Sequence, residues 1–544
     1  MRNTIARIPI PTNEPVYSYA PGTEEREKLK EAIKEIKSQE IEIPLIIGGE
    51  EIKTGNVAKI VEPHDTKSVL GVYHMAGEKE INMAIDAAMQ AAKKWREYDW
   101  IDRAAIFLKA AELLSTKYRY LINAATMLSL SKNVFQAEID SACELIDFLR
   151  FNLFYMQKIY EEQPLYSPKG TWNIMQYRPL EGFIFAVPPF NFVSIAGNLP
   201  TAPAMMGNVV LWKPAESSVY APYIFMKILQ EAGLPDGVIN FIPAIGREIG
   251  HFVFASEHFA GIHFTGSVPT FNKMWQMMAE NIHKYKAYPR IVGETGGKDY
   301  IFVHKSANRR KLITAIVRGA YEYQGQKCSA VSRVYIPKSM WSEIKDDLFK
   351  EIDKIKMGSP EDFTNFMNAL IDEKAFKKVT SYIDYAKNAS DAEIVKGGGY
   401  DNSKGWFVEP TVILTENPHF KTMEEEIFGP VVTIYPYDDD KYIETLHLCD
   451  QTSPYGLTGA IFSEDRDATR VAIDILEGSA GNFYINDKPT GAVVGQQPFG
   501  GTRGSGTNDK AGSHLNLLRW VTPRAIKENF IAPESFEYPF MAEE

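Results

Sequence analysis

The middle of the chain reads GFIFAV at residues 182–187, VVLW at 209–212, VINFI at 238–242, GIHF at 261–264 and PRIV at 289–292. Each run is short and apolar, which is typical of a buried strand. The stretches between the runs have the length and the amphipathic pattern of helices. Because strands joined by crossover helices form an open parallel sheet, this region predicts an α/β domain.

Three of these strands end in distinctive tails. The tails read PPFNF at 188–192, KPAES at 213–217 and TGS at 265–267. Ligands of open parallel sheets bind outside the carboxyl ends of the strands. We therefore expect a nucleotide to lie against these three tails.

The flanking regions have different patterns. Apolar residues from Ile81 to Trp95 recur on one helical face, so the first third of the chain is predicted to be largely helical. Strands and helices alternate again from Tyr300 to about Asn486, which indicates a second α/β domain. The segment FGGTRGSGTNDKAGS at 499–513 is typical of an irregular loop.

Composition limits the class of protein. The chain has 544 residues, 45% of them hydrophobic, which predicts two or three packed globular domains and excludes disorder. The formal net charge of −11 would repel a nucleic acid backbone. We therefore expect no nucleic acid partner. No apolar stretch is long enough for a membrane span or a secretory signal, so we expect no membrane partner either.

The three cysteines indicate a reducing compartment and no metal centre. Cys143, Cys328 and Cys449 are too scattered for a disulfide framework, and no pair has the spacing of zinc ligands. We therefore expect a cytoplasmic protein without a metal ion. Arg2 and Arg7 precede the first acidic residue, Glu14, which leaves the mitochondrial matrix as an alternative.

Three residues are candidates for carbonyl chemistry. Cys328 lies in the polar segment QGQKCSAVS, and Lys327 beside it would favour the nucleophilic thiolate. Glu294 follows the strand IVG, so its carboxylate can act as a general base, although a glutamate capping a turn has the same pattern. Asn191 in PPFNF can donate to an oxyanion, or it is only a turn-forming asparagine.

Further residues are candidates for holding a nucleotide. Gly266 and Ser267 resemble a phosphate-binding turn, but no GxGxxG motif follows any of these strands. Lys213 and Glu216 have the donor and acceptor groups that a ribose requires, and a solvated loop is the alternative. Glu424 to Glu426 would ordinarily be a solvated charge run, but the nearby Phe428, Gly429 and Pro430 argue against that interpretation for Glu426.

The motifs PFNF, WKPAES, FTGS, ETGGK, GQKCS, EEIFGP and PFGG occur in this order, and together they resemble the aldehyde dehydrogenase superfamily. The phrases FTGSVPTF, YGLTGA, GNFYINDK, TGAVVGQQPFGG and SGTNDKAG are similar to the branch that oxidises L-glutamate γ-semialdehyde, which forms from 1-pyrroline-5-carboxylate. The resemblance extends from about residue 13 to about residue 527. It implies NAD-dependent oxidation of that aldehyde to L-glutamate in proline degradation.

The resemblance also implies an architecture. It divides the chain into a Rossmann-like NAD domain of residues 1–160 and 182–300, a catalytic α/β domain of residues 301–500, and a small oligomerisation element of residues 161–181 and 501–544. The assembly it implies is a homodimer or a higher assembly of dimers.

Carried over position by position, the resemblance assigns roles to individual residues. Cys328 becomes the nucleophile, Glu294 the base that activates the deacylating water, and Asn191 part of the oxyanion hole with the backbone N–H of Cys328. NAD would be held by Lys213, Glu216, Gly266, Ser267, Glu426 and Phe428. The substrate would be held by Phe192, Lys327, Ser329, Gly491, Ala492 and Phe499.

This sequence departs from the family pattern at three positions. Ala492 stands where the branch often has Ser, Thr295 where most of the superfamily has Leu, and Asp299 where a neutral residue is more familiar.

Other functions are alternatives to the oxidation of L-glutamate γ-semialdehyde. Oxidation of succinate semialdehyde, which would use the same Cys328 and Glu294 with another anchor, is one alternative. A non-enzymatic binding protein that keeps the fold is another. A DNA-binding fusion with a proline-oxidising domain is disfavoured by the length and the acidic charge.

Overall fold

A computed structural model describes residues 4–543. Two seven-stranded sheets form the frame, each covered by helices. The first sheet has the strand order Arg290–Glu294, Phe259–Thr265, Phe183–Val187, Val209–Trp212, Ile239–Phe241, Leu45–Ile47 and Glu50–Ile52. The second has the order Ala392–Lys396, Thr411–Thr415, Val431–Tyr437, Val331–Pro337, Asp299–Val303, Thr458–Phe462 and Asn482–Ile485.

The five predicted strands of the first sheet pair in parallel. Numbered along the chain, they lie in the order 5-4-1-2-3, so the order reverses between Phe183–Val187 and Phe259–Thr265. A reversal of this kind opens a crevice at the carboxyl ends of the two strands on either side. The tails PPFNF and TGS follow these two strands, so the fold places both at the crevice.

The α/β class predicted from the sequence is confirmed by these sheets. Amphipathic helices such as Glu78–Trp95 and Glu373–Lys387 bury one face, whereas Val193–Met205 is buried almost all round. The bounds of the long helices are Glu24–Lys37, Glu78–Trp95, Trp100–Ser115, Arg119–Leu130, Leu145–Glu161, Val193–Met205, Tyr220–Ala232, Gly246–Ala255, Val268–Asn281, Arg309–Tyr321, Lys338–Ile352, Glu373–Lys387, Tyr442–Gln451 and Arg466–Ile475. Shorter helical segments are Val134–Ala137, Ile282–Lys284, Glu322–Gly325, Lys421–Glu424, Glu477–Ser479, His514–Leu518 and Pro539–Met541, and Glu138–Glu144 is a π-helix.

Several strands were not predicted from the sequence. Residues before Glu78 form a three-stranded sheet of Ile41–Ile43, Asp65–His74 and Val57–Glu62, and a hairpin that extends the first large sheet. Small two-stranded sheets pair Tyr400–Asp401 with Phe407–Val408, and Tyr455–Gly456 with Thr502–Arg503. Thr171–Arg178 pairs antiparallel with Thr522–Asn529 as a ribbon.

The division into three domains remains a prediction. The ribbon joins parts of both segments, 161–181 and 501–544, that the sequence analysis assigned to an oligomerisation element. No helix between residues 4 and 543 combines the length and the apolar character that a membrane crossing requires.

Candidate active site

Asn191 and Cys328 lie on two loops that meet at the crevice. Asn191 follows the strand Phe183–Val187, and Cys328 lies between the turn Glu322–Gly325 and the strand Val331–Pro337. The side-chain amide of Asn191 donates to the backbone carbonyl of Gln326 at 3.0 Å. Because an amide group carries two N–H bonds, the second remains available to an oxyanion.

The loop that carries Cys328 has an unusual backbone. Tyr323 and Gln324 have φ angles of 52° and 56°, and Gly325 follows with 66°. A Cβ atom on Gly325 would lie 2.3 Å from the carbonyl oxygen of Gly429, so only glycine fits there. These three left-handed residues turn the chain from helix to strand, and Cys328, which follows them, is partly exposed, whereas Cys143 and Cys449 are buried.

The surroundings of Cys328 favour the neutral thiol. Burial raises the pKa of Cys328, and the nearby carboxylates of Asp299, Glu426 and Glu294 raise it further. The Lys327 ammonium donates to Oε2 of Glu322 at 3.1 Å, so its effect on the Cys328 thiolate stays a prediction. The Glu322 carboxylate balances the positive charge of Lys327.

Glu294 is the last residue of the strand Arg290–Glu294 and is surrounded by the glycine-rich tail. Its Oε2 accepts a hydrogen bond from the backbone N–H of Gly501 at 2.8 Å. A Cβ atom on Gly500 or on Gly506 would lie about 3 Å from its carboxylate oxygens, which explains these two glycines of FGGTRGSG. Burial raises the pKa of Glu294 well above its ordinary value, and the charge of Asp509 raises it further. A carboxylate of this kind is suited to accept a proton near neutral pH.

Two candidate nucleotide contacts lie at the end of the strand Val209–Trp212. Nζ of Lys213 lies 3.4 Å from Oε1 of Glu216, and the same oxygen accepts from the backbone N–H of Gly246 at 3.1 Å. Burial lowers the pKa of Lys213, and Glu216 opposes that change. The acidic group at this strand end has the chemistry that binds ribose hydroxyls.

A third strand end offers backbone donors. Ser267 is the N-cap of the helix Val268–Asn281, and its Oγ lies 2.8 Å from Oγ1 of Thr270. Gly266 donates from its backbone to the carbonyl oxygen of Glu294 at 3.1 Å, so this turn and the candidate base are joined. The start of a helix carries a partial positive charge and free N–H groups, which suits a pyrophosphate.

Glu426 and Phe428 lie beside the segments that follow the strands Arg290–Glu294 and Phe183–Val187. Oε1 of Glu426 accepts from the backbone N–H of Gly297 at 3.0 Å, three residues after Glu294. Phe428 has a φ of 64°, and its ring packs edge-on at 5.9 Å against Phe190 of the PPFNF tail. The structure thus brings this part of EEIFGP beside the first predicted tail.

Three of the candidate substrate residues, Ser329, Gly491 and Ala492, lie close together. Oγ of Ser329 lies 2.7 Å from Oγ1 of Thr490, which directly precedes Gly491 and Ala492. Gly491 has a φ of 93°, and Lys488 donates to the carbonyl oxygen of Thr490 at 2.8 Å. Sequence reasoning missed Thr490, although its place before the expected loop was a usable signal.

Phe192 and Phe499 are both half-buried. Phe192 follows Asn191 directly, and Phe499 precedes Gly500, which packs against the Glu294 carboxylate. The backbone of Phe499 is fixed by two hydrogen bonds with Ala511. Their roles as walls of a substrate pocket remain predictions.

Two departures from the family pattern have structural partners. Oγ1 of Thr295 donates to the carbonyl oxygen of Gly504 at 2.6 Å, which holds the glycine-rich tail against the Glu294 strand. Oδ1 of Asp299 accepts from the backbone N–H of Thr458 at 2.7 Å, and burial raises the pKa of Asp299 to about 8. Asp299 is therefore a neutral carboxylic acid near pH 7.

One cluster has the ligand types of a metal site. Glu62, His64 and Glu361 each place one ligand atom within 4.8 Å of the others. Nζ of Lys37 lies 2.5 Å from Oε1 of Glu361 and 3.5 Å from Oε1 of Glu62. The lysine ammonium thus already supplies a cation there, and the cluster is an ion-pair network between separate segments.

The sequence model of the aldehyde dehydrogenase family matches residues 51–524. The chain belongs to the aldehyde dehydrogenase family. The family predicted from the ordered motifs is thereby confirmed.

Relatives of this aldehyde dehydrogenase are similar over almost their whole length. The delta-1-pyrroline-5-carboxylate dehydrogenase of Dictyostelium discoideum is 54% identical over 538 residues, 98% of this chain and 96% of the relative. That of Agaricus bisporus is 51% identical over 98% of both chains. A crystal structure of the Mycobacterium tuberculosis Delta-pyrroline-5-carboxylate dehydrogenase bound with NAD has a TM-score of 0.96 and 48% identity, and the match covers 99% of this chain and 100% of that one.

Proposed function

We propose that this aldehyde dehydrogenase oxidises L-glutamate γ-semialdehyde, the hydrolysed form of 1-pyrroline-5-carboxylate, to L-glutamate with NAD. The observation that carries the proposal is the meeting of Asn191, Glu294 and Cys328 at the crevice between the strand ends, in a chain about half identical to delta-1-pyrroline-5-carboxylate dehydrogenases. The three residues supply an oxyanion donor, a base and a nucleophile. Proline degradation is the context that the names of the relatives support.

In the first step, the Cys328 sulfur attacks the aldehyde carbon and forms a thiohemiacetal. Negative charge develops on the aldehyde oxygen, where the free N–H of the Asn191 amide and the backbone N–H of Cys328 can stabilise it. NAD, when bound, supplies the hydride acceptor and a positively charged ring that favours the Cys328 thiolate. The carbon is thereby oxidised from the aldehyde level to the level of a thioester.

The second step releases the product. Glu294 accepts a proton from a water molecule, which attacks the thioester carbon and displaces the Cys328 sulfur. The products are L-glutamate and the free thiol. Burial raises the pKa of Glu294, which makes its carboxylate a stronger base than an exposed glutamate.

Binding of the cofactor is assigned to two strand ends and to the segment that precedes the strand Val431–Tyr437. Glu216 and Lys213 would hold the adenosine ribose, the turn Gly266–Ser267 the pyrophosphate, and Glu426 with Phe428 the nicotinamide ribose. The charge of Glu216 would repel a 2′-phosphate, which favours NAD over NADP.

Recognition of the amino-carboxylate end is assigned to Ser329 and the backbone N–H groups of Gly491 and Ala492. Thr490 orients the Ser329 hydroxyl through their 2.7 Å contact. Phe192 and Phe499 would flank the aliphatic chain. Lys327 would attract the substrate carboxylate, but its ion pair with Glu322 weakens this attraction.

We also propose a dimer formed through the ribbon. Trp172, Phe530 and Ile531 expose apolar side chains on or beside it, and exposed apolar patches commonly mark protein interfaces. Sedimentation of the purified protein tests this assembly.

Several eukaryotic relatives are named as mitochondrial, so we place the enzyme in the cytoplasm or the mitochondrial matrix.

The experiment that tests the function is a substrate panel. Purified protein is incubated with NAD and either 1-pyrroline-5-carboxylate, succinate semialdehyde or simple aldehydes, and NADH formation is followed. The proposal requires 1-pyrroline-5-carboxylate to be the preferred substrate. A preference for succinate semialdehyde would assign the chain to another substrate class.

A further inference from the structure

Lys132 is a completely buried lysine between the two loops of the active site. Its Nζ donates to Oδ2 of Asp140 at 2.7 Å. The same ammonium lies 4.4 Å from the ring centroid of Phe192 and 4.5 Å from that of Tyr323. One cation is therefore shared by a carboxylate and two aromatic faces, which are favourable partners for a desolvated ammonium.

The two rings belong to different parts of the site. Phe192 ends the segment 189–192, which carries Asn191 and is called the oxyanion loop below. Tyr323 lies in the segment 322–328, which ends at Cys328 and is called the nucleophile loop. The direct link between these loops is the hydrogen bond from Asn191 to Gln326 at 3.0 Å.

Asp140 fixes where the oxyanion loop ends. Its Oδ2 accepts from the backbone N–H of Val193 at 3.0 Å and its Oδ1 from that of Ser194 at 2.9 Å. These two residues begin the helix Val193–Met205, whose N-cap Phe192 has no side-chain oxygen to offer. A carboxylate from another segment thus caps this helix. Asp140 lies in the π-helix Glu138–Glu144, a rare element that is frequent at functional sites.

The nucleophile loop needs support from its surroundings. Tyr323 and Gln324 adopt left-handed φ angles, which non-glycine residues keep only when the surrounding structure enforces them. The Tyr323 hydroxyl is buried and makes no hydrogen bond with any described residue. The Tyr323 ring is therefore held through its faces, and the Lys132 ammonium lies against one of them.

We propose that Lys132 is a positioning residue of this active site. Its ammonium, held by Asp140 and shared by the rings of Phe192 and Tyr323, fixes the oxyanion loop against the nucleophile loop. Lys132 does not touch the reacting atoms. It keeps the Asn191 amide aligned with the carbon that Cys328 attacks. The inference rests on the proposed function, because it assumes that these two loops carry the oxyanion donor and the nucleophile.

The first test replaces the ammonium by an uncharged chain of similar length. Lys132→Met should lower kcat for NADH formation on the order of 10- to 100-fold, since a misplacement of about 1 Å at a reacting centre has that size of effect. The dissociation constant of NAD, measured by fluorescence titration, should stay within about twofold, because Lys213 and Glu216 lie at another strand end. The matched control is Lys158→Met, since Lys158 also pairs with a carboxylate and lies over a ring but is exposed. It should leave kcat unchanged.

A second variant separates positioning from simple charge balance. Lys132→Met alone leaves the buried Asp140 carboxylate without its cation, which destabilises a fold. The double variant Lys132→Met with Asp140→Asn removes both charges of this pair, so its melting temperature should recover part of the loss. The single variant Asp140→Asn is measured beside it, because an amide keeps only one acceptor for the Val193 and Ser194 N–H groups, and it should retain more kcat than the double variant. If Lys132 positions the loops, kcat of the double variant stays at least tenfold low. Recovery of kcat to within threefold of the unaltered enzyme would overturn the proposal.

Two further outcomes, a misfolded Lys132→Met variant and a different substrate of the enzyme, can be distinguished from failure of the proposal. If Lys132→Met does not fold, the double variant decides by the same criterion. The kcat comparison is repeated with propanal, which lacks the amino-carboxylate end, and a positioning role predicts a similar fall. Normal kcat of folded Lys132→Met with both aldehydes contradicts the inference. An unaltered enzyme that is inactive with 1-pyrroline-5-carboxylate but active with another aldehyde contradicts the proposed function instead.

Discussion

The side-chain amide of Asn191 donates to the backbone carbonyl of Gln326 at 3.0 Å, two residues before the Cys328 nucleophile. The residue that would stabilise the oxyanion is thus bonded to the loop that would carry out the attack. One N–H of the amide sets its orientation, and the other can serve the substrate.

Asn191→Ala should lower kcat by about 10²- to 10³-fold, which is typical of losing one oxyanion donor. Steady-state NADH formation checks this value. Asn281→Ala is the control, because the Asn281 amide donates to the carbonyl oxygen of Met277 and accepts from Nζ of the exposed Lys284, both local contacts, and it should keep full activity. A loss below about threefold in Asn191→Ala would show that the oxyanion is held elsewhere.

Cys328→Ala should abolish NADH formation and preserve NAD binding, because it removes only the nucleophile. Cys449→Ala provides the comparison, since Cys449 is a buried thiol in the helix Tyr442–Gln451. That variant should lose some thermal stability and retain turnover. Activity in Cys328→Ala would remove the basis of the mechanism.

Glu294→Gln should separate the two halves of the reaction, because an amide cannot accept a proton from water. Rapid mixing with substrate and NAD should give a burst of NADH close to one equivalent per active site, and then very slow turnover. The Gly501 N–H, which now bonds to Glu294, can bond equally to the amide oxygen, so the loop should stay in place. Disappearance of the burst would assign Glu294 to the attack step as well.

The pH dependence of the Cys328 thiol depends on Asp299. The pKa of Asp299 is raised to about 8, so its carboxyl group is neutral below that pH and negative above it. The negative form raises the pKa of Cys328. Asp299→Asn should therefore accelerate alkylation of Cys328 by iodoacetamide at pH 9 by about three- to tenfold, since a pKa shift of one unit changes the thiolate fraction by up to tenfold.

The control for this measurement is Asp401→Asn, at an exposed position of the hairpin Tyr400–Asp401. It should leave the alkylation rate unchanged, and below about pH 7 Asp299→Asn should also have little effect. Equal rates for Asp299→Asn and the unaltered protein at pH 9 would contradict the assignment of Asp299 as the group that opposes the thiolate.

The first large sheet could be predicted well because its strands are buried on both faces and therefore appear as continuous apolar runs. The run VVLW coincides with the strand Val209–Trp212. The hairpin Leu45–Ile47 and Glu50–Ile52 was missed, since strands of three residues carry little pattern. The strand Thr522–Asn529 was missed because it is mostly exposed and contains a proline.

The candidate site could be predicted only where the chemistry coincides with a local motif. Cys328, Glu294 and Asn191 each stand in such a motif, and the fold brings Asn191 and Cys328 to one place. Lys132 and Asp140 could not be found, because their roles depend on contacts with residues 53 to 191 positions away. The pairing of Lys327 with Glu322, only five positions away, was missed because it depends on the turn Glu322–Gly325 that brings the two side chains together.

If this enzyme selects an aldehyde by its amino-carboxylate end, its kinetics should distinguish aldehydes that carry this end from aldehydes that lack it. The measurement is kcat/KM for glutamate semialdehyde and for propanal, with L-glutamate added as a competitor. Each charge-assisted hydrogen bond contributes about 1.5 to 3 kcal/mol, so losing two of them predicts a kcat/KM on the order of 10²- to 10⁴-fold lower for propanal. L-glutamate should compete with the semialdehyde. Similar kcat/KM values for the two aldehydes, without competition by L-glutamate, would contradict the account.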